Sequence, residues 1–197
     1  MNCEGEELIE VMKLLYQRGL ITVLSGNASL KCGEFFLITP SGVPKHKIKD
    51  LTRVNLKTLE WEGPKPSIEY RMHAQIYLNT DFQSVVHAHN PLTVALADVY
   101  AEDQFNELVS KYVETRYAIS KVGVVERIDA GSLELAEAVG RKFSEGSDVV
   151  VMKGHGVIAG GRNPFDALNK VEAMEYLALV ETARCGTSVR RQEVVYY

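Results

Sequence analysis

The segment VVHAH places His87 and His89 two residues apart, and side chains two apart on a β-strand point to the same face. Two imidazoles would thus be preset as neighbours at the end of a strand, where Asn90 and Pro91 begin a helix. A third histidine, His155 in MKGHGV, follows another short apolar run, and Gly154 and Gly156 on either side let the backbone bend closely around a bound group. Three histidines and one open position is the usual coordination of catalytic zinc. Histidines at this spacing also occur in ordinary cores and on ordinary surfaces. Here, however, the remaining strand residues are Val85, Val86 and Ala88, and a buried polar pair needs partners or a cation. Glu69 is the carboxylate to set beside them. It stands at the start of a helix headed by Ser67, where the helix dipole favours a negative charge, and it is a candidate general acid or base if the fold brings it to the metal. Spacing alone leaves those two roles open. Met72, Met152 and Met174 read as packing residues.

The elements that must position these residues follow from the hydrophobic pattern. Leu8, Ile9, Met12, Leu15 and Tyr16 recur at helical spacing and Gly19 caps that run. Residues 20–61 break into short β-rich runs separated by SGN, CGE and PSG turns. Pro66 and Ser67 start a helix reaching Asn79, and a strand over 83–89 follows. Asn90 and Pro91 restart a helix through Tyr100. Residues 111–126 alternate β-branched and aromatic residues with polar ones, and Ser132 caps a helix through Phe143. A buried strand at 149–152 pairs with a neighbour at 156–160, and Asn163-Pro164 opens the longest helix, ending near Gly186. Hairpins rather than regular βαβ crossovers predict a mixed or antiparallel sheet flanked by helices.

Bulk properties bound the function. A chain of 197 residues, 46% hydrophobic and 24% charged, is predicted to fold as a single domain over 1–197. Net charge of -4 leaves no electrostatic footprint for a polyanion, so nucleic acid is not an expected partner. The one basic run, residues 44–49, reads as a solvated loop face, with phosphate steering as the alternative. Cys3, Cys32 and Cys185 lie far apart without a CxxC pair, which suggests neither a disulfide framework nor a thiolate zinc site and fits a reducing compartment. Glutamates near the N-terminus and the absence of a long apolar run predict a cytoplasmic protein without a membrane span.

Five segments together carry a resemblance: LSGNASL at 24–30, LITPSGVP at 37–44, PSIEYRMH at 66–73, VVHAHNP at 85–91 and KGHGVIAGG at 153–161. In order and spacing they resemble the class II aldolase and adducin-head family. The resemblance implies a three-layer α/β/α fold with a central, largely antiparallel sheet, and a cyclic homotetramer with active sites at subunit interfaces. It implies Zn2+, or another divalent metal, held by His87, His89 and His155, with Glu69 as the catalytic carboxylate. Asn27, Ser41, Gly42 and Ser67 match positions that bind the substrate phosphate. The implied reaction is retro-aldol cleavage of a fuculose-1-phosphate-like ketose 1-phosphate to dihydroxyacetone phosphate and a short aldehyde.

Two departures bear on the substrate. Ser67-Ile68 stands where the family's aldolases have two serines, and residues 125–129 lack the tyrosine that those enzymes carry before the helix capped here by Ser132. Tyr196 and Tyr197 are candidates to replace it. Epimerases of the family carry aspartate in place of Glu69, which argues against that branch. A methylthioribulose-1-phosphate dehydratase-like activity keeps the same residues and is the alternative enzyme. Adducin-like interaction modules lack the histidine triad that this chain has.

Overall fold

The computed structural model describes residues 3–192, with side chains to residue 186; Tyr196 and Tyr197 lie outside the described residues. Helix α1 (Glu6–Gln17) buries Leu8, Val11, Met12 and Leu15 on one stripe. Strands β1 (Asn27–Cys32), β2 (Phe35–Ile38), β3 (Thr52–Asn55) and the two-residue β4 (Trp61–Glu62) form an antiparallel meander. Helix α2 (Tyr70–Asn79) then leads into β5 (Ser84–Ala88), and helices α3 (Pro91–Ala97), α4 (Glu102–Lys111) and α5 (Val113–Arg116) follow. Strand β6 (Val122–Val125), helix α6 (Leu133–Ser144), strands β7 (Val149–Met152) and β8 (Gly156–Gly161) and helix α7 (Pro164–Gln192) complete the described chain.

The eight strands form one sheet in the order β4-β3-β2-β1-β5-β8-β7-β6. Every pairing is antiparallel except β6 with β7, which α6 connects. Side chains of one face, including Val85, Val150 and Ile158, pack with Met72 and Ile76 of α2 and Leu135 and Val139 of α6. Side chains of the other face, including Val86, Ala88 and Val157, pack against α1, α3, α4 and α7. The three-layer, largely antiparallel arrangement expected from the sequence is the one observed. No described helix is long and apolar enough to cross a membrane.

Strand β5 lies at the centre, between β1 and β8. Its alternation puts Val86 and Ala88 in one core and Val85 in the other, so His87 projects to the α2 side. Gly156 makes this packing feasible. A Cβ there would stand 2.2 Å from the Ala88 carbonyl oxygen and 3.1 Å from Cε1 of His87.

The structure corrects several local expectations. Residues 111–126 are not one extended run: α4 ends at Lys111, α5 occupies Val113–Arg116 and only Val122–Val125 is strand. Phe105, Leu108 and Val109 anchor α4 in the core, and Thr115 Oγ1 donates to the Val109 carbonyl at 2.8 Å, curling the chain into a further turn. Helix α2 begins at Tyr70, so Ser67 precedes the helix by a turn: its carbonyl accepts from Tyr70 N at 3.1 Å, and Glu69 becomes the N-cap residue. Asn90 does not cap α3 with its side chain, because its Nδ2 donates to Val171 O at 2.7 Å. Glu175 of α7 instead accepts from the Leu92 and Thr93 amides at 3.0 and 3.1 Å. Cys3 and Cys32, expected to be unpaired, form a disulfide: the N-terminal segment runs past the end of β1 with a Cα separation of 6.0 Å.

Replacing Gly156 by Ala should therefore lower stability by about 1–3 kcal/mol, because the clash is with backbone that cannot rotate away. Gly186→Ala, in open space on α7, is the control and should not lower the melting midpoint. Denaturant unfolding of both variants checks this. An unshifted Gly156→Ala midpoint would show that β8 can move away from β5.

Candidate functional site

Register brings the candidate residues together. On β1, Asn27 lies opposite His87, and on β8 Ile158 lies opposite His87 from the other side. His89 follows the end of β5, tied by its amide to the Leu20 carbonyl at 2.9 Å. His155 closes the β7–β8 turn, where Gly154 takes a φ of +68° and the His155 amide donates to Met152 O at 3.1 Å. The three rings converge, with centroids 4.9, 4.9 and 5.1 Å apart. One nitrogen from each lies within 4.8 Å of the other two.

Glu69, 5% exposed, faces this triad. Its Oε2 accepts from Asn27 Nδ2 at 2.8 Å and lies 3.2 Å from His87 Nε2, while Oε1 lies 3.2 Å from His155 Nε2. Burial works to raise the Glu69 carboxyl, but the neighbouring imidazoles of His87 and His155 and the Asn27 bond together hold it well below the usual carboxylate range. Burial acts oppositely on the rings. It holds His87 below its ordinary value despite Glu69 and brings His89 down to about 3. The anion thus calls for a positive charge that burial denies to His87.

The residues fit a divalent cation as that charge. His87 Nδ1 lies 2.9 Å from the Val157 carbonyl, which can only accept, so Nδ1 carries the proton and Nε2 of the neutral ring presents a lone pair. That Nε2 and Glu69 Oε1 are buried without a hydrogen-bond partner. Two electron-rich atoms directed at the same small space, backed by two more imidazoles, form the donor set of a catalytic zinc-type site.

The other candidates line the adjoining space. The loop carrying Ser41 pairs with that carrying Ser67: Ser41 N donates to Lys65 O at 2.9 Å and Ser67 N to Thr39 O at 3.2 Å. Asn27, Ser41, Ser67 and Glu69 line a cavity of about 170 Å³ that reaches His89 and His155. Gly42 sits next to Ser41 with a φ of +72°, a conformation that favours glycine. A larger cleft, about 470 Å³, lies at the β3–β4 edge among Arg53, Trp61 and Glu62, but it contains none of the histidines. Chemistry, not volume, favours the smaller cavity.

Two features escaped the sequence reading. Lys45, within the basic run taken as a solvated face, is 2% exposed and lines the cavity. Its Nζ donates to Pro40 O at 2.8 Å, and burial brings its ammonium down to about 8 against the pull of Glu69. His73 is fully buried, with its ring between Asn27 Oδ1 at 2.5 Å and Ser29 Oγ at 2.6 Å. The overlooked signal was the four-residue spacing of Glu69, His73 and Tyr77, which aligns them along one helix face.

The family described as Class II Aldolase and Adducin N-terminal domain matches residues 6–182. A Methanocaldococcus jannaschii protein named L-fuculose phosphate aldolase is 31% identical over 175 residues, covering 87% of this chain and 92% of its own length. A Persephonella marina protein named methylthioribulose-1-phosphate dehydratase is 31% identical over 183 residues, covering 86% of this chain and 85% of its own. The crystal structure of L-fuculose-1-phosphate aldolase from Thermus thermophilus superposes with a TM-score of 0.78 at 25% identity, covering 98% of this chain and 97% of that one.

The triad geometry predicts one divalent ion per chain. The double variant His87→Ala, His89→Ala should lose it while remaining folded, as read by elemental analysis and circular dichroism on one preparation. Stoichiometric metal in the double variant would remove the triad from the site.

Proposed function

This chain belongs to the class II aldolase and adducin N-terminal domain family, and on that premise we propose that it is a metal-dependent lyase. It cleaves a ketose 1-phosphate by a retro-aldol reaction to dihydroxyacetone phosphate and a short aldehyde. The observation that carries this reading is the buried Glu69 carboxylate, held between three metal-competent histidines and a cavity lined by Ser41, Lys45 and Ser67. A divalent ion on His87, His89 and His155, which we assign as zinc, would supply Lewis-acid charge to the substrate carbonyl.

The protein's own groups divide the remaining work. Ser41 and Ser67, in a wall that also holds Asn27, receive the phosphate through their hydroxyls, and Gly42, next to Ser41, through its turn amide. Lys45 adds a full positive charge from a side chain that cannot retreat to water. Glu69 is held at the boundary between triad and cavity, where it exchanges a proton with the reacting carbon. The hydroxyl of the departing fragment gives its proton to the ionised Glu69 as it becomes the aldehyde, the electron pair of the carbon–carbon bond passes to the ketose fragment, and Glu69 delivers that proton to the carbon left behind. One domain over the whole chain, a homotetramer and a cytoplasmic location complete the proposal. The continuous sheet supports the first, and family likeness supports the others.

The dehydratase reading is favoured by one specific observation, the similarity to the Persephonella marina protein. There Glu69 would take a proton next to the carbonyl and a hydroxyl would depart as water without carbon–carbon cleavage. Incubating the metal-loaded protein with a panel of ketose 1-phosphates separates the two. Release of dihydroxyacetone phosphate supports the aldolase; loss of water with the carbon chain intact overturns it in favour of the dehydratase.

Glu69→Gln keeps size and hydrogen bonding but cannot exchange a proton, so turnover should fall by about 10² to 10⁴ with metal retained. A helix-terminal charge alone would contribute only about 0.3–1 kcal/mol of stability, and near-normal turnover would assign Glu69 that lesser role. Lys45 supplies a pH test. It is charged below about 8, so KM for the phosphate-bearing substrate should rise as pH increases through that value. The substrate phosphate is already fully ionised there, with a second pKa of about 6. Lys45→Met should raise KM at neutral pH and abolish that rise. A KM independent of both pH and the substitution would remove Lys45 from the binding wall.

A further inference from the structure

A single line of buried side chains runs from Glu69 into the sheet. Glu69 Oε2 accepts from Asn27 Nδ2 at 2.8 Å, Asn27 Oδ1 meets His73 Nε2 at 2.5 Å, His73 Nδ1 meets Ser29 Oγ at 2.6 Å, and Ser29 Oγ meets the Tyr77 hydroxyl at 2.6 Å. All five residues are buried. Two periodicities assemble them. Asn27 and Ser29 are two apart on β1, so they share a face of the sheet, while Glu69, His73 and Tyr77 are four apart at the start of α2 and along it.

The direction of this line is determined at its catalytic end. There Asn27 turns its NH₂ to Glu69 Oε2 and its carbonyl oxygen to His73 Nε2. That oxygen can only accept, so His73 carries a proton on Nε2 whatever its charge. With the ring neutral, Nδ1 accepts from the Ser29 hydroxyl, and Ser29 in turn accepts from Tyr77. Reversing the Asn27 amide would set its oxygen against the Glu69 carboxylate; the Nε2–H tautomer of His73 opposes that reversal, whereas an Nδ1–H ring would permit it at the His73 end.

We propose that His73 is a positioning residue for proton transfer: by locking the Asn27 amide it holds the Glu69 carboxylate in one orientation between the triad and the cavity. Asn27 thereby serves Glu69 as well as lining the cavity, with its carbonyl oxygen committed to His73 and one N–H to Glu69. This inference rests on the reading of Glu69 as proton carrier. A ring kept only for packing would need no such sequence of matched donors and acceptors.

The test uses the metal-loaded protein and two kinds of readout. Nitrogen-15 NMR of the His73 ring should show the Nε2–H tautomer; a neutral Nδ1–H ring would overturn the proposal. His73→Phe retains an aromatic ring but no donor, and kcat should fall about 10- to 100-fold with KM and metal content unchanged. His73→Gln, which restores a donor and an acceptor, should recover part of that loss. The double variant Asn27→Ala, His73→Phe should be no slower than Asn27→Ala alone, because His73 acts through Asn27. If His73→Phe does not fold, Ser29→Ala takes its place: its kcat should fall with KM unchanged, and normal turnover would overturn the proposal. Normal kcat in His73→Phe would do the same. Full activity of Glu69→Gln is a distinct result, which refutes the proton-carrier reading itself.

Discussion

A buried carboxylate organises this structure. Removing an ionised group from water costs several kcal/mol even after relaxation, and Glu69 retains its charge at 5% exposure only because its surroundings compensate it. Two imidazole nitrogens and an amide NH₂ approach its two oxygens, and Lys45 contributes a longer-range positive charge. None of these suffices alone: burial holds His87 down, and an amide carries no net charge. The need for a cation follows from electrostatics as much as from ligand geometry.

The central strands make that arrangement rigid. Asn27, His87 and Ile158 are laterally aligned across β1, β5 and β8, so a one-residue slip would turn His87 into the apolar layer beneath α7 and replace it with Val86 or Ala88. The close approach at Gly156 resists such a slip by seating β8 on the carbonyl of Ala88. His87 is further secured by the Val157 carbonyl, which selects the tautomer that leaves Nε2 free for a metal. Register, tautomer and ligand atom are thus consequences of one pairing.

What the sequence revealed and what it concealed differ in range. The histidine pair, the glycine-flanked His155 and most helix and strand assignments depend on residues close in sequence, where periodicity and turn chemistry operate directly. His73 required knowing that α2 lies over β1, since its partners Asn27 and Ser29 are 46 and 44 residues away. Lys45 was hidden because burial is a tertiary property that a basic run does not announce. Asn90 holds the N-cap position of α3 but does not cap with its side chain for the same reason: Glu175, more than 80 residues later, supplies the acceptors, and propensity at the helix start says nothing of a carboxylate arriving from α7. The pairing of Cys3 with Cys32 likewise depends on where the N-terminal segment crosses β1.

On the proposed reading, metal and anion functions lie on differently constrained parts of the fold. The triad comes from β5 and a tight hairpin, where register leaves little freedom, whereas Ser41, Lys45 and Ser67 come from loops joined across the site. Ile68 shows what this freedom permits. It lines the cavity, half exposed, in place of a hydroxyl that would be worth roughly 1.5–3 kcal/mol to a charged ligand. An ammonium about 4 Å from a phosphate, in surroundings of effective dielectric about 20, offers about 4 kcal/mol. Lys45 is therefore sufficient in magnitude to offset the missing hydroxyl on the proposed reading. It does so as a charge without the directional demand of a serine.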